Sequence, residues 1–358
     1  MNSNNYALIM AGGIGSRFWP SSRKKRPKQF QDFMGQGKTL IQQTYNRFKI
    51  FIPKENIFIL TNELHEQLVL EQIKEIDPSR ILLEPSMKNT APCILYASLK
   101  IKKINPLAII LTAPSDHLIK DDLSFSNNIK LAFDYVRSNS ALITFAVKPN
   151  RPDTGYGYLE REEKKLKIFP VKKFIEKPSL KKAKIYLKSE NYFWNSGIFV
   201  WKVKDIISAY KKFQPKMFKL LYNGFSFYNT SDEIIFINKN YSLLEDISID
   251  YAIMEKCNNC FSIIADFDWS DIGTWTSLHD KTEKNKDFNV VVKDNIFLKD
   301  VKRSLIYNNS KQLIVASGLK DFIVVLNDDV LLIYPKGDDQ KLKEIVENVK
   351  SKYGKKYE

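Results

Sequence analysis

Cysteine and histidine are the scarce residues here, three of each in 358. Three thiols, Cys93, Cys257 and Cys260, cannot build a disulfide framework and suit a reducing compartment. Cys257-Asn258-Asn259-Cys260 has C-x-x-C spacing, but no second Cys or His pair follows at zinc-ligand distance. Nor does the segment open a helix after a strand, as a redox motif would, so it reads as two adventitious thiols at a helix end. With so few histidines, no Ser-His-Asp or Cys-His arrangement is apparent. Apolar runs of about 18 residues, the length that spans a bilayer, are also missing. Met1 to Asn5 lacks the basic start of a signal peptide, so a cytoplasmic protein without a membrane partner is expected. No internal repeat or low-complexity tract is found.

Apolar residues make up 44% and aromatic residues 13%, which argues for a folded globule. The formal charge of +15 would suit nucleic acid, a membrane surface or an anionic small substrate. Lysines are scattered through every segment, as in Lys100 to Lys103, Glu163 to Lys165 and Lys350 to Lys356, so a compositional bias explains most of the charge. No aromatic-basic RNA-recognition signature accompanies it, and no nucleic-acid partner is expected.

The informative segment comes first. Tyr6 to Ala11 is a short apolar run, followed at once by GGIGSRFWPSSRKKRPKQF, Gly12 to Phe30. A strand feeding a Gly-rich, basic turn brings backbone N–H groups and cations up to a phosphate chain. Gly12, Gly13 and Gly15 allow positive φ and remove the Cβ that would hold a phosphate off. Arg17 and Lys28 supply charge, one as a planar fork and one as a point. Arg23, Lys24, Lys25 and Arg26 read as a solvated rim on a mobile loop. Two other phosphate loops fail on spacing. The dinucleotide fingerprint needs a glycine where Phe18 stands, and Gly37-Lys38-Thr39 would need the first glycine of a P-loop at Asp32.

Periodicity predicts alternating strands and helices through the first half: helix Leu40 to Lys49, strand Ile57 to Leu60, helix Leu64 to Ile76, strand Ile81 to Leu83. Helix Thr90 to Lys102 follows, capped by Asn89 or Thr90 with Pro92 in its first turn, then strand Ala108 to Thr112, helix Phe125 to Val136 and strand Leu142 to Val147. Repeated βα units place ligands at the C-terminal strand edge. From Tyr156 the reading turns to strands with longer loops. A polar run, Lys281 to Asp287, reads as a linker. Short β-patterned stretches over Asn289 to Pro335 and a helix from Asp338 to Lys350 follow it. The expected division is a large unit over 1–280 and a small β unit over 288–358, in which no chemistry is evident.

The pattern GG-x-G-x-R-F-W-P-x-S-R continuing to PKQF resembles the sugar nucleotidyltransferases, among them the mannose-1-phosphate guanylyltransferases. Later motifs recur in family order: EPSMKNTAP (Glu84 to Pro92), PSDH (Pro114 to His117), TGYGYLE (Thr154 to Glu160), FIEKP (Phe174 to Pro178), WNSGIF (Trp194 to Phe199) and DWSDIGTW (Asp268 to Trp275). The resemblance implies a Rossmann-like α/β domain with a mostly parallel mixed sheet, plus a small C-terminal β-rich domain often involved in assembly. It implies GTP and mannose 1-phosphate as substrates, Mg2+ as cofactor, and a homodimer. Some members continue into a cupin-type isomerase domain, which this sequence stops short of, so isomerase activity is not expected.

The implied reaction joins two polyanions, so it asks for neutralised repulsion and in-line geometry rather than a protein nucleophile. By resemblance, Asp116 and Asp271 are metal ligands, and two carboxylates with bound phosphates suit a hard ion. The other readings are a helix N-cap for Asp116 and a turn beside Gly273 for Asp271. Arg17 and Lys28 would hold the triphosphate. Lys177 would bind the sugar phosphate and Glu176 the mannose hydroxyls, with a surface ion pair as the other reading. Both reaching one ligand requires a bend, because neighbours in a strand face opposite ways. Gly157 would admit the sugar ring and Asn195 would bond vicinal hydroxyls. Guanine would be read near Gly12 and by Asn89, Thr90 and Ser115. Another sugar phosphate or nucleotide, or a non-catalytic regulatory paralogue binding GDP-mannose, are the alternatives.

Overall fold

The computed structural model describes residues 3–162 and 166–357, so the lysine run at Glu163 to Lys165 lies outside the described residues. Strands β1 (Asn5–Met10), β2 (Ile57–Asn62), β3 (Ile81–Glu84) and β4 (Ile109–Pro114) lie parallel in the order β3-β2-β1-β4. Each is a nearly unbroken apolar run, as a strand buried on both faces must be. The pleat sorts β1 accordingly. Tyr6 and Leu8 face one apolar layer, and Ala7 and Ile9 face the other. Helix α3 (Thr90–Ile104) fills the first layer and is buried along most of its length. Helices α1 (Leu40–Phe48), α2 (Glu66–Gln72) and α4 (Asp122–Ser138) cover the second.

Beyond β4 the sheet differs from the mostly parallel one expected. Strand β6 (Leu142–Val147) is separated from β4 by β9 (Tyr192–Lys202), antiparallel to both, and β10 (Cys260–Ile264) is parallel to β6. Strands β8 (Ile168–Ile175) and β7 (Tyr158–Arg161) close the nine-stranded sheet with antiparallel pairings. The insertion makes functional sense. Running against β4, with Thr112 opposite Phe199, β9 delivers its first residues to the C-terminal edge of the parallel strands. A short pair, β5 (Leu118–Ile119) with β11 (Trp269–Ser270), brings the DWSDIGTW segment to PSDH.

The second half is also richer in helix than the expected strands with longer loops, with α5 (Leu180–Lys188), α6 (Val203–Phe213), α7 (Pro215–Tyr222) and α8 (Glu233–Asn240). In α6 the buried Val203, Ile206, Ile207 and Tyr210 recur at helical spacing. Helix α7 opens on Pro215, where the missing N–H costs nothing.

After α9 (Trp275–Lys281), the chain winds as a parallel coil. Strands β12 (Val290–Val292), β14 (Leu305–Asn308) and β16 (Phe322–Leu326) stack in one parallel sheet, and β13 (Ile296–Lys299) stacks on β15 (Ile314–Ser317) in another. Strand β17 (Leu331–Pro335) turns back antiparallel on β16, and α10 (Asp339–Tyr353) follows. The coil shares its core with the segments before it. Phe18, Phe33, Ile272 and Trp275 pack with Val290, Tyr307, Ile323 and Leu342 in one apolar cluster.

Polar contacts reinforce that union. The Trp19 indole donates to the Tyr357 carbonyl at 2.7 Å, and Asn327 Nδ2 donates to the Pro20 carbonyl at 2.7 Å. Arg23 is no solvated rim residue, since its fork grips both oxygens of Asp329 at 2.7 and 2.8 Å.

Candidate active site

Sequence order places the phosphate loop at the C-terminal end of β1, and a set of tethers gives it shape. Gln29 Nε2 donates to the Ala11 and Gly13 carbonyls at 2.7 and 3.0 Å, and Ser22 Oγ donates to the Ile14 carbonyl at 2.5 Å. The KQF turn is thereby folded back under the glycines. Of the three glycines only Gly15 uses left-handed backbone, at φ 69°. A methyl group there would stand 2.4 Å from Lys28 Cβ, so the close passage of the two segments requires glycine.

Lys28 is 3% exposed. Its Nζ donates to Asp116 Oδ2 at 3.0 Å and to the Asp271 carbonyl at 2.6 Å. PSDH and DWSDIGTW therefore do converge, on either side of one buried ammonium. Asp116 is not a helix cap, because Asp121 caps α4. Burial disfavours the charged form of Asp116, yet Lys28 and His117 outweigh it and hold the carboxyl below the usual range. Burial lowers His117 despite Asp116 and Asp271 nearby, and its Nδ1 accepts from the Trp269 indole at 3.1 Å. Asp271 Oδ1 accepts from the Tyr156 hydroxyl at 2.5 Å. The residue that turns the chain there is Ile272, at φ 40° and fully buried, rather than Gly273. A β-branched residue in the left-handed region is strained, and such strain gathers at functional sites.

Arg17, Lys28, Asp116 and Asp271 line a cavity of about 310 Å³. Among the described residues no group of three or more His, Cys, Asp or Glu could hold a metal ion by itself. Two carboxylates can still contribute. Each spends an oxygen on Lys28 or Tyr156, and a carboxylate has about four lone-pair sites, so capacity is left for a hard ion that takes its remaining ligands from phosphate and water.

A second cavity of about 390 Å³ lies beside Gly12 and Gly13 and shares Asp116 with the first. Asn89 and Thr90 line it, although part of their polarity is structural. Asn89 Oδ1 caps α3 at the Thr90 amide, and Thr90 Oγ1 accepts from the Ile249 amide at 2.8 Å. Ser115 does not line it. Its amide bonds the Met10 carbonyl and its carbonyl accepts from Thr44, tying β4 to β1 and α1. The residue missed from the sequence is Glu84, whose Oε2 would lie 3.4 Å from a methyl group on Gly12. Burial raises its carboxyl to about 7, against a hydrogen bond from Tyr241. It opens the EPSMKNTAP motif, and only its place at the end of β3 hinted at a role.

The third cavity, about 210 Å³, holds Gly157, Glu176, Lys177 and Asn195, and shares His117 and Asp271 with the phosphate cavity. A methyl group on Gly157 would stand 2.5 Å from Glu176 Oε2. The required bend is present. Lys177 has φ 42°, so Glu176 and Lys177 face the same cavity, paired at 3.2 Å. Asn195 is held by Thr144 at 2.6 Å and donates to Asp250 Oδ1 at 3.0 Å. Asp250 has no motif around it. It sits on a π-helical turn, a form common at functional sites, and burial with Glu176 nearby raises it to about 7. A larger cavity of about 700 Å³, around Arg80 and Glu233, contains none of these groups. Cys257 and Cys260 are both free thiols, Cys257 just after the π-helical turn and Cys260 opening β10.

A nucleotidyl transferase family model matches residues 6–287. The mannose-1-phosphate guanylyltransferase 2 of Escherichia coli O157:H7 is 36% identical over 359 residues, covering 96% of this chain and 73% of that one. A mannose-1-phosphate guanylyltransferase of Salmonella montevideo is 36% identical over 353 residues, again with 96% and 73% covered. Among solved structures, a Thermus thermophilus protein described as a mannose-1-phosphate geranyltransferase aligns with a TM-score of 0.87 and 26% identity, covering 97% of this chain and 99% of that one.

Proposed function

This chain belongs to the nucleotidyl transferase family, and from that premise we propose that it transfers GMP from GTP to α-D-mannose 1-phosphate, giving GDP-mannose and pyrophosphate. One observation carries the reading: the phosphate cavity shares Asp116 with the glycine-lined cavity and Asp271 with the Glu176 cavity. A nucleotide in the first and a sugar phosphate in the second would meet between those carboxylates. A sugar-phosphate oxygen attacks the α-phosphorus, the bond to the bridging oxygen breaks, and its electron pair leaves with pyrophosphate. Lys28 and Arg17 offset charge on the triphosphate, and Lys177 offsets charge on the sugar phosphate. Asp116 and Asp271 would hold Mg2+, which when bound supplies further neutralisation of the phosphates.

Glu84 supports guanine. A carboxylate accepts from both N1–H and N2–H of that base, whereas uracil and thymine offer one N–H between two repelling carbonyls. A homodimer, which rests on resemblance, belongs to the same reading, as do a cytoplasmic location and the division at 280–288 that the polar run Lys281 to Asp287 suggests.

Four nucleoside triphosphates offered against mannose, glucose and N-acetylglucosamine 1-phosphates test it, with pyrophosphate release measured. GTP with mannose 1-phosphate should show the highest kcat/KM, and Glu84→Gln should narrow the preference for GTP about tenfold, as loss of a hydrogen bond to a charged acceptor would. A tenfold advantage for UTP or dTTP with glucose 1-phosphate, about 1.4 kcal/mol, would overturn the substrate assignment.

Lys177 should act on one substrate only. Lys177→Ala is expected to raise KM for mannose 1-phosphate far more than KM for GTP, each measured with the other saturating. The opposite pattern would remove FIEKP from the sugar side.

A further inference from the structure

Helix α10 lies far beyond the matched residues 6–287, yet it reaches the phosphate cavity. Leu342 is 1% exposed in the shared apolar cluster, and the next residue, Lys343, lines the cavity with Arg17, Lys28, Asp116 and Asp271. The helix start is pinned to α9. The Gly337 amide donates to Thr276 Oγ1 at 3.1 Å, and the Thr276 amide donates to Asp339 Oδ1 at 3.5 Å.

Charge in the cavity is unevenly committed. Lys28 is held by Asp116 and the Asp271 carbonyl. Among the described residues neither Arg17 nor Lys343 has an ion pair or a side-chain hydrogen bond. Lys343 lines neither the base-side cavity nor the sugar-side one. Lys343 is exposed, so its ammonium stands open to a ligand at this wall, away from the base-side and sugar-side cavities.

We propose that Lys343 is a pyrophosphate-binding residue, contacting the β- and γ-phosphate oxygens of the nucleotide and the pyrophosphate that departs. This rests on the functional reading above for the orientation of the nucleotide. A compact ammonium on a four-carbon stem can follow those oxygens as the α,β bond breaks, which a rigid fork does less easily.

The test uses the full chain, with Lys343→Met and Lys343→Arg. Calorimetric titration with inorganic pyrophosphate in Mg2+ buffer reads the subsite directly, and reverse-reaction kinetics read KM for pyrophosphate and for GDP-mannose. Lys343→Met should weaken pyrophosphate about tenfold in both assays, the loss of one charge-assisted hydrogen bond, with KM for GDP-mannose within about twofold of wild type. Lys343→Arg should restore most of the affinity. Unchanged pyrophosphate affinity in Lys343→Met would overturn the proposal, as would equal weakening of both ligands with a lowered Tm, or a wild-type chain that binds no pyrophosphate. Wild-type protein that binds pyrophosphate through Lys343 but turns over no GDP-mannose would support the subsite while refuting the substrate assignment.

Discussion

Lys28→Ala is expected to lower kcat by roughly 2 to 4 kcal/mol in activation free energy, the scale of losing a preorganised electrostatic donor. Lys28 lines the cavity that shares Asp116 with the glycine-lined cavity and Asp271 with the Glu176 cavity, with its Nζ 3.0 Å from Asp116 Oδ2 and 2.6 Å from the Asp271 carbonyl. Removing it takes charge from the triphosphate and also frees Asp116 from one cation that holds its carboxyl low. The acid limb of the kcat profile should therefore move to higher pH. The sign follows from the native shift: Asp116 is lowered, and loss of Lys28 lets burial raise it, so the carboxylate protonates earlier as pH falls. Steady-state kinetics over pH, with thermal unfolding as the check on folding, measure this. A variant within threefold of wild type would mean that Lys28 is structural.

Complete loss of activity in excess chelator is the second large effect expected, with recovery on adding Mg2+ or Mn2+. Among the described residues no group of three or more His, Cys, Asp or Glu could hold the ion unaided, so its retention depends on phosphate ligands and a chelator competes for it. Asp271→Asn should keep the fold, since the amide can still accept from Tyr156, but shift the Mg2+ titration to higher concentration. Undiminished turnover in chelator would exclude the metal, and an unaltered titration in Asp271→Asn would exclude that ligand.

Much of this site was written in local patterns. Gly15, Arg17 and Lys28 announce a phosphate loop through spacing, and the structure keeps them on one cavity. Glu176 and Lys177 carried a stated difficulty, the need for a bend, which the left-handed backbone at Lys177 meets. Asp250 was beyond such reading, and Glu84, though it opens a motif, carried no role. A single carboxylate becomes informative only when burial raises it to about 7 beside a cavity, and burial is a property of the packed chain. Ser115 does not line the cavity that Asn89 and Thr90 line, and its amide and carbonyl are tied to β1 and α1.

The sheet shows the same limit. The parallel half followed from apolar runs, whereas the antiparallel entry of β9 depends on which edge remains when the insertion returns. Likewise the short strands after Asn289 were visible as strands, but Val290 opposite Leu305 and Leu305 opposite Ile323 is a pairing across turns that no local pattern encodes.

The union of the C-terminal coil with the loop at Trp19 to Arg23 means that the two cannot be stabilised independently. Any ligand that grips the loop in its docked form adds RT ln(1 + [L]/Kd) to the free energy needed to peel the coil away. Read in reverse, every loosening of the coil, even at residues remote from the phosphates, lowers the fraction of molecules whose loop is ready and is felt as weaker nucleotide affinity. The coil thus acts as a thermodynamic counterweight to the substrate.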